Sequence, residues 1–179
     1  MSSMTKASTA THKCFALVLS GGGARGLSHA GVLRALIARG YIPSAVVGVS
    51  MGAVVGATYA LNDKWYDALV GMDTSGFPAS PDFRVPGMAA RIRGMRLALL
   101  AARDMYFGWG SGARTETWGR SVLSGLTKGK NLQDGRIPAF VCATDMLSGQ
   151  RVVFGKGDAT DYVYSSAALA GILPPLVDD

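Results

Sequence analysis

Two short stretches of this chain carry residues whose types and spacing suit acyl transfer. In Gly48-Val49-Ser50-Met51-Gly52 a serine stands between two glycines, and further upstream lies Gly21-Gly22-Gly23-Ala24-Arg25-Gly26, with four glycines in six residues. A hydroxyl nucleophile attacks a carbonyl carbon, and converging backbone N–H groups hold the oxyanion that forms. Glycines two before and two after the serine relieve crowding where a strand turns sharply into a helix, and leave the hydroxyl exposed at the turn. The N-terminus of the helix that follows favours developing negative charge. An ordinary βα turn with a serine cap has the same five-residue pattern, which is common by chance.

The flanking residues supply the elements that must position these groups. Ala45-Val46-Val47-Gly48-Val49 is short, apolar and β-branched, the composition of a strand buried on both faces. After Ser50, Gly52, Ala53, Gly56, Ala57 and Ala60 put the smallest side chains at helical spacing, which lets that helix lie close to a sheet. Upstream, Cys14–Ser20 reads as another buried strand. Leu27, Ala30, Leu33, Leu36 and Ile37 form a helical stripe after the glycine loop, and Gly40 stands where a helix-ending glycine belongs. The order strand, glycine loop, helix, strand, serine turn, helix predicts a βαβ unit in a parallel sheet, hence an α/β fold. Gly21, Gly23 and Gly26 also satisfy the dinucleotide-binding fingerprint. That reading requires an acidic residue about 20 positions on, whereas no Asp or Glu occurs between Arg25 and Asp63.

Together the glycine loop, the serine turn and their order resemble the patatin-like phospholipase family. The resemblance continues in Pro138–Asp145, Ser148-Gly149 and Val152–Phe154, and again in Ser165–Pro175. It implies a three-layer α/β domain, a central mostly parallel sheet with helices on both faces, over residues 14–179. It also implies a serine lipid acyl hydrolase that works through a Ser-Asp dyad. Ser50 is then the nucleophile, Gly48 and Gly52 shape the elbow, and Gly21, Gly22, Gly23, Ala24, Arg25 and Met51 are candidates for the oxyanion hole. Each such donor is worth about 3–4 kcal/mol in other serine hydrolases. The substrate implied is a phospholipid or other acyl-ester lipid met at a membrane surface, without a cofactor.

The second member of the dyad departs from the family pattern. Its aspartate normally follows the Pro-Pro turn in an Asp-Gly-Gly or Asp-Gly-Ala context, and neither tripeptide occurs in this sequence. The domain therefore reads as incomplete at its C-terminal end, with Asp179 the candidate base inside the chain. Asp134-Gly135 and Gly157-Asp158 read as turns, and Asp145 as a loop-positioning residue that accepts from nearby backbone N–H groups. His29, near the start of the first helix, is the base in an alternative α/β-hydrolase esterase reading, although such folds place the histidine late in the chain. A further alternative is a catalytically incomplete lipid-binding or regulatory fragment.

The composition suits an enzyme domain that meets membranes without crossing them. The chain has 179 residues, 49% of them hydrophobic and 17% charged, with a formal net charge of +6. No apolar run reaches the roughly 18 residues of a membrane span. Residues 1–13 lack the apolar core of a signal peptide and read as a disordered leader; a cytoplasmic or membrane-peripheral location follows. Cys14 and Cys142 each fall in a predicted buried strand and read as small core residues, and no residue cluster suggests zinc or calcium. Arg84, Arg91, Arg93, Arg96 and Arg103 alternate with apolar residues and suggest an imperfectly amphipathic interfacial helix over 84–103. No nucleic-acid recognition motif accompanies the charge. Gly108–Gly112 reads as a flexible joint, Thr115 or Thr117 as the cap of the next helix, and Lys128–Asn131 as the polar turn ending it.

Overall fold

The computed structural model describes residues 14–74, 112–168 and 173–177, with positions 88, 92, 94–96 and 99 between them. The expected leader at 1–13, most of the 84–103 segment with Arg84, Arg91, Arg93 and Arg103, the joint at 108–111 and Asp178-Asp179 lie outside the described residues.

Four strands form one sheet in the order β1 (Ala16–Leu19), β2 (Ala45–Val49), β3 (Ala139–Thr144) and β4 (Arg151–Phe154). The pairings β1–β2 and β2–β3 are parallel, and β4 returns antiparallel to β3. Helix α1 (Ser28–Ala38) connects β1 to β2, so the expected βαβ unit is present. Its last turn closes as the composition predicts: Gly40 takes φ +82°, its N–H donates to the Ile37 carbonyl, and the Tyr41 N–H reaches back to Leu36.

Helix α2 (Met51–Leu61) is buried at every position. Small residues make this possible, because the helix touches β1, β2 and β3 on one side and α3 (Trp65–Val70), α4 (Gly112–Thr127) and α5 (Ala159–Ala167) on others. A helix with no polar stripe belongs in such a central place. Leu19, Val46, Ala139 and Val141 are buried on the α2 side of the sheet. The opposite side carries Val18, Val49, Phe140 and Val153, and Val18 is 74% exposed. Strands buried on both faces were expected; the layer that would cover the second face is not among the described residues.

Three local expectations need correction. Cys14 is exposed and precedes β1, and Cys142 is only half-buried in β3, so neither is a core residue. An apolar run does not mark which of its residues begins the strand. Helix α4 begins by Gly112, which places Thr115 and Thr117 inside it and not at its cap. Ala113 and Arg114 are strong helix formers that carry the helix N-terminal of both threonines. At its other end Lys128 and Gly129 take φ +60° and +58° and terminate the helix as anticipated.

Candidate active site

Ser50 occupies the junction of β2 and α2 with φ 54° and ψ −124°. Residues with a Cβ rarely adopt this conformation, which costs about 1–3 kcal/mol and persists only where the surroundings enforce it. The enforcement comes from packing. A Cβ on Gly48 would lie 2.4 Å from the Ala53 nitrogen, and one on Gly52 only 2.2 Å from the Leu19 carbonyl oxygen. Both positions therefore need glycine, and the helix start is pressed against the ends of two strands. The Ser50 carbonyl accepts from Ala53 N–H and Val54 N–H at 2.9 and 3.1 Å, beginning the helix directly beneath the hydroxyl.

The glycine loop arrives beside this junction. Gly21 faces Ser50 closely enough that a Cβ on it would stand 3.2 Å from Ser50 Cβ and 3.9 Å from its Oγ. Gly23 takes φ +54° and opens a 3-10 turn, Gly23–Leu27, that leads into α1. Gly21, Gly22, Gly23, Ala24 and Arg25 are all exposed. Arg25 N–H donates to the Gly22 carbonyl at 3.2 Å and is thus engaged within the loop. His29 Nε2 donates to the Ser20 carbonyl at 3.0 Å, fastening the end of β1 to α1 immediately before the loop.

One residue at this junction was not legible from the sequence as a partner of Ser50. Ser166, on α5, accepts from Ser50 N–H at 2.8 Å and donates to the Cys142 carbonyl at 2.6 Å. Its hydroxyl therefore bridges the strained serine backbone to the end of β3. Nearby Tyr164 donates to the Pro174 carbonyl at 2.9 Å and anchors the Pro-Pro turn against α5. Burial, with the Glu116 carboxylate adding to it, pushes the Tyr164 phenol up to about 12, so it remains a protonated donor. Arg120 stands over the Tyr164 ring at 5.1 Å and pairs with Glu116 and Asp161, which joins α4 to α5.

Ser50 opens into a cavity of about 100 Å³. Met51, Val54, Met72, Val122, Leu123 and Leu173 supply its apolar walls, and no carboxylate or imidazole is among its described lining. The wall from α4 follows helical spacing, although the chain between α2 and β3 offered little sequence signal. Such a chamber accepts hydrocarbon more readily than a charged group.

The remaining acidic candidates have structural places. Asp145 accepts from Leu147 N–H and the Ser148 hydroxyl in the β3–β4 turn, and these bonds hold its carboxyl below the usual range. This matches its expected loop-positioning role. Asp134 closes a capping box with Asn131, and Asp158 caps α5 by accepting from Thr160 and Asp161 N–H. Asp179 lies outside the described residues. Among the described residues no group of three or more His, Cys, Asp or Glu side chains is placed to hold a metal ion.

Comparison with known proteins agrees with the fold. A model of the patatin-like phospholipase family matches residues 17–178. Lysophospholipase NTE1 of Mycosarcoma maydis is 32% identical over 164 residues, covering 91% of this chain and 8% of that protein. Patatin-like phospholipase domain-containing protein 7 of Mus musculus is 29% identical over 168 residues, covering 94% of this chain and 11% of that protein. The chain thus spans only a small part of the length of these relatives. Among solved structures, VipD from Legionella pneumophila superposes with a TM-score of 0.57 at 17% identity, over 92% of this chain and 44% of that one. With its sheet, its serine junction and a family match over nearly its whole length, this chain belongs to the patatin-like phospholipase family.

Proposed function

We propose that this chain carries the chemistry of a lipid acyl hydrolase acting on phospholipids or lysophospholipids, with Ser50 as its nucleophile. The observation that carries the reading is the positive-φ serine at the β2–α2 junction, beside an exposed glycine loop and open to an apolar cavity. Ser50 Oγ attacks the ester carbonyl carbon while its proton passes to a base. N–H groups of Gly22, Gly23 or Ala24, with Met51 N–H, hold the oxyanion. The ester C–O bond then breaks, the leaving alcohol takes a proton, and water cleaves the acyl-enzyme to free fatty acid.

The base is an aspartate of the Asp-Gly-Gly or Asp-Gly-Ala type that the family resemblance implies, a motif this sequence does not contain; Asp179 is the alternative within it. His29 fits that role poorly, since its Nε2 proton is committed to the Ser20 carbonyl. Lipid at a membrane surface is the proposed partner.

Reaction with a fluorophosphonate probe tests the nucleophile. The expected product is one adduct on the peptide containing Ser50, absent from Ser50→Ala. No adduct, with lipid binding retained, favours the second reading: a non-catalytic lipid-binding or regulatory fragment, supported by the cavity's lack of a carboxylate among its described walls.

Ser166 should tune this reactivity without touching substrate. Ser166→Ala removes the acceptor for Ser50 N–H and the donor to Cys142, so the strained backbone loses a restraint. The labelling rate of Ser50 should fall about tenfold, a change equivalent to one misplaced hydrogen bond of about 1.4 kcal/mol. Ser166→Thr keeps the hydroxyl and should recover most of the rate.

A further inference from the structure

We propose that the turn between β3 and β4 is a membrane-insertion tip that docks this domain on an anionic phospholipid surface. The inference deepens the lipid hydrolase reading and rests on it for its biological purpose, but the docking itself does not depend on catalysis. Leu147 is 99% exposed and Met146 64%, side by side at the apex of the turn. The turn is nevertheless tightly braced. Asp145 N–H donates to the Gln150 carbonyl, Gly149 N–H donates back to the Asp145 carbonyl, and the Asp145 side chain accepts from Leu147 N–H and the Ser148 hydroxyl. A stiff turn that presents two large apolar side chains to water loses little conformational freedom when those side chains enter an apolar phase.

Its position agrees with that use. Strand β3 runs parallel to β2, and Cys142 is the register partner of Val49. Ser50 follows Val49 directly, so the hydroxyl and the turn lie at the same edge of the sheet. Leu147 is five residues past Cys142, and the strand rise of about 3.3 Å per residue lets the tip stand roughly 10 Å beyond the serine. A tip seated at the headgroup–acyl boundary would bring the Ser50 cavity close to the lipid surface. Charge favours an anionic one through the chain as a whole, which carries a formal +6; at the turn itself the exposed Arg151 balances the Asp145 carboxylate. The described residues Met88, Ile92, Met95 and Leu99 are exposed large apolar side chains as well.

Flotation with phosphatidylcholine vesicles containing about one-third phosphatidylglycerol tests the proposal. Wild type, Ser50→Ala and Leu147→Ser are compared, and thermal melts verify that each is folded. Wild type and Ser50→Ala should bind alike, so that a failure of the nucleophile assignment leaves this readout untouched. Leu147→Ser should bind about tenfold more weakly. In a separate variant, Leu147→Trp, emission beyond that of the native tryptophans should be quenched by brominated lipid. Equal vesicle binding by wild type and Leu147→Ser, or no binding by wild type, would overturn the proposal. So would unchanged vesicle binding together with a dimer that Leu147→Ser converts to monomer, which would assign the tip to a second copy of the chain.

Discussion

With the proposed aspartate base present, Ser50→Ala is expected to lower hydrolysis of a lysophospholipid or a p-nitrophenyl ester, with a fall in kcat of about 10⁴-fold or more. The magnitude follows from the loss of the covalent route, which leaves only binding and oxyanion stabilisation. Stability should hardly change, because alanine inherits the same backbone problem: φ 54° and ψ −124° suit neither residue. Glycine does not share the problem. Ser50→Gly should be equally inactive yet more stable by about 1 kcal/mol, the relief of strain less the entropy that glycine adds to the unfolded chain. For a domain of this size that is about 2–4 °C in Tm. Activity assays and thermal melts of the pair separate a strained catalytic serine from an ordinary turn residue. If Ser50→Gly melts below Ser50→Ala, the strain argument fails.

The βαβ core and the serine junction were legible because local patterns encode them. Buried parallel strands leave short β-branched runs, a helix against a sheet leaves small residues at helical spacing, and a helix-ending glycine leaves Gly40. The position of Asp145 was readable for the same reason, since its partners Leu147 and Ser148 are its neighbours in sequence. Ser166 was not readable as a partner of Ser50. The two are 116 positions apart, and a serine inside a helix looks the same whether it faces water or a strained backbone. The α4 wall of the cavity was hidden differently: Val122 and Leu123 sit at ordinary core spacing, and only the packed structure shows them above Ser50.

Three side chains that brace the site share one feature, which is that they bond backbone atoms. Ser166 bonds the Ser50 N–H and the Cys142 carbonyl, His29 bonds the Ser20 carbonyl, and Tyr164 bonds the Pro174 carbonyl. Backbone partners leave no residue type to recognise at the receiving end. They also fit the chemistry proposed, because an oxyanion hole made of N–H groups is only as well ordered as the loop that carries them.

That dependence makes Gly52→Ala the sharpest structural prediction. The added methyl would stand 2.2 Å from the Leu19 carbonyl oxygen, 2.6 Å from the Leu19 carbonyl carbon and 2.7 Å from the Ser20 carbonyl oxygen. All three are backbone atoms at the end of β1, so no side-chain rotation relieves the clash. Either α2 or the end of β1 must move, and that strand end leads directly into Gly21-Gly22-Gly23. The expected cost is about 3 kcal/mol or more, at the upper end for overpacking, with Ser50-dependent hydrolysis and fluorophosphonate labelling both lost. Gly56→Ala, one turn further along the same helix, supplies the comparison. Its methyl would meet Leu19 Cδ1 at 3.5 Å and Val46 Cβ at 3.6 Å, ordinary contacts with side chains. That substitution should leave labelling intact and change stability by less than about 1 kcal/mol, the helix preference of alanine balancing any slight crowding. Denaturant melts and labelling of the two variants decide the matter. Equal behaviour of Gly52→Ala and Gly56→Ala would mean that the close approach of α2 to β1 does not hold the serine in place.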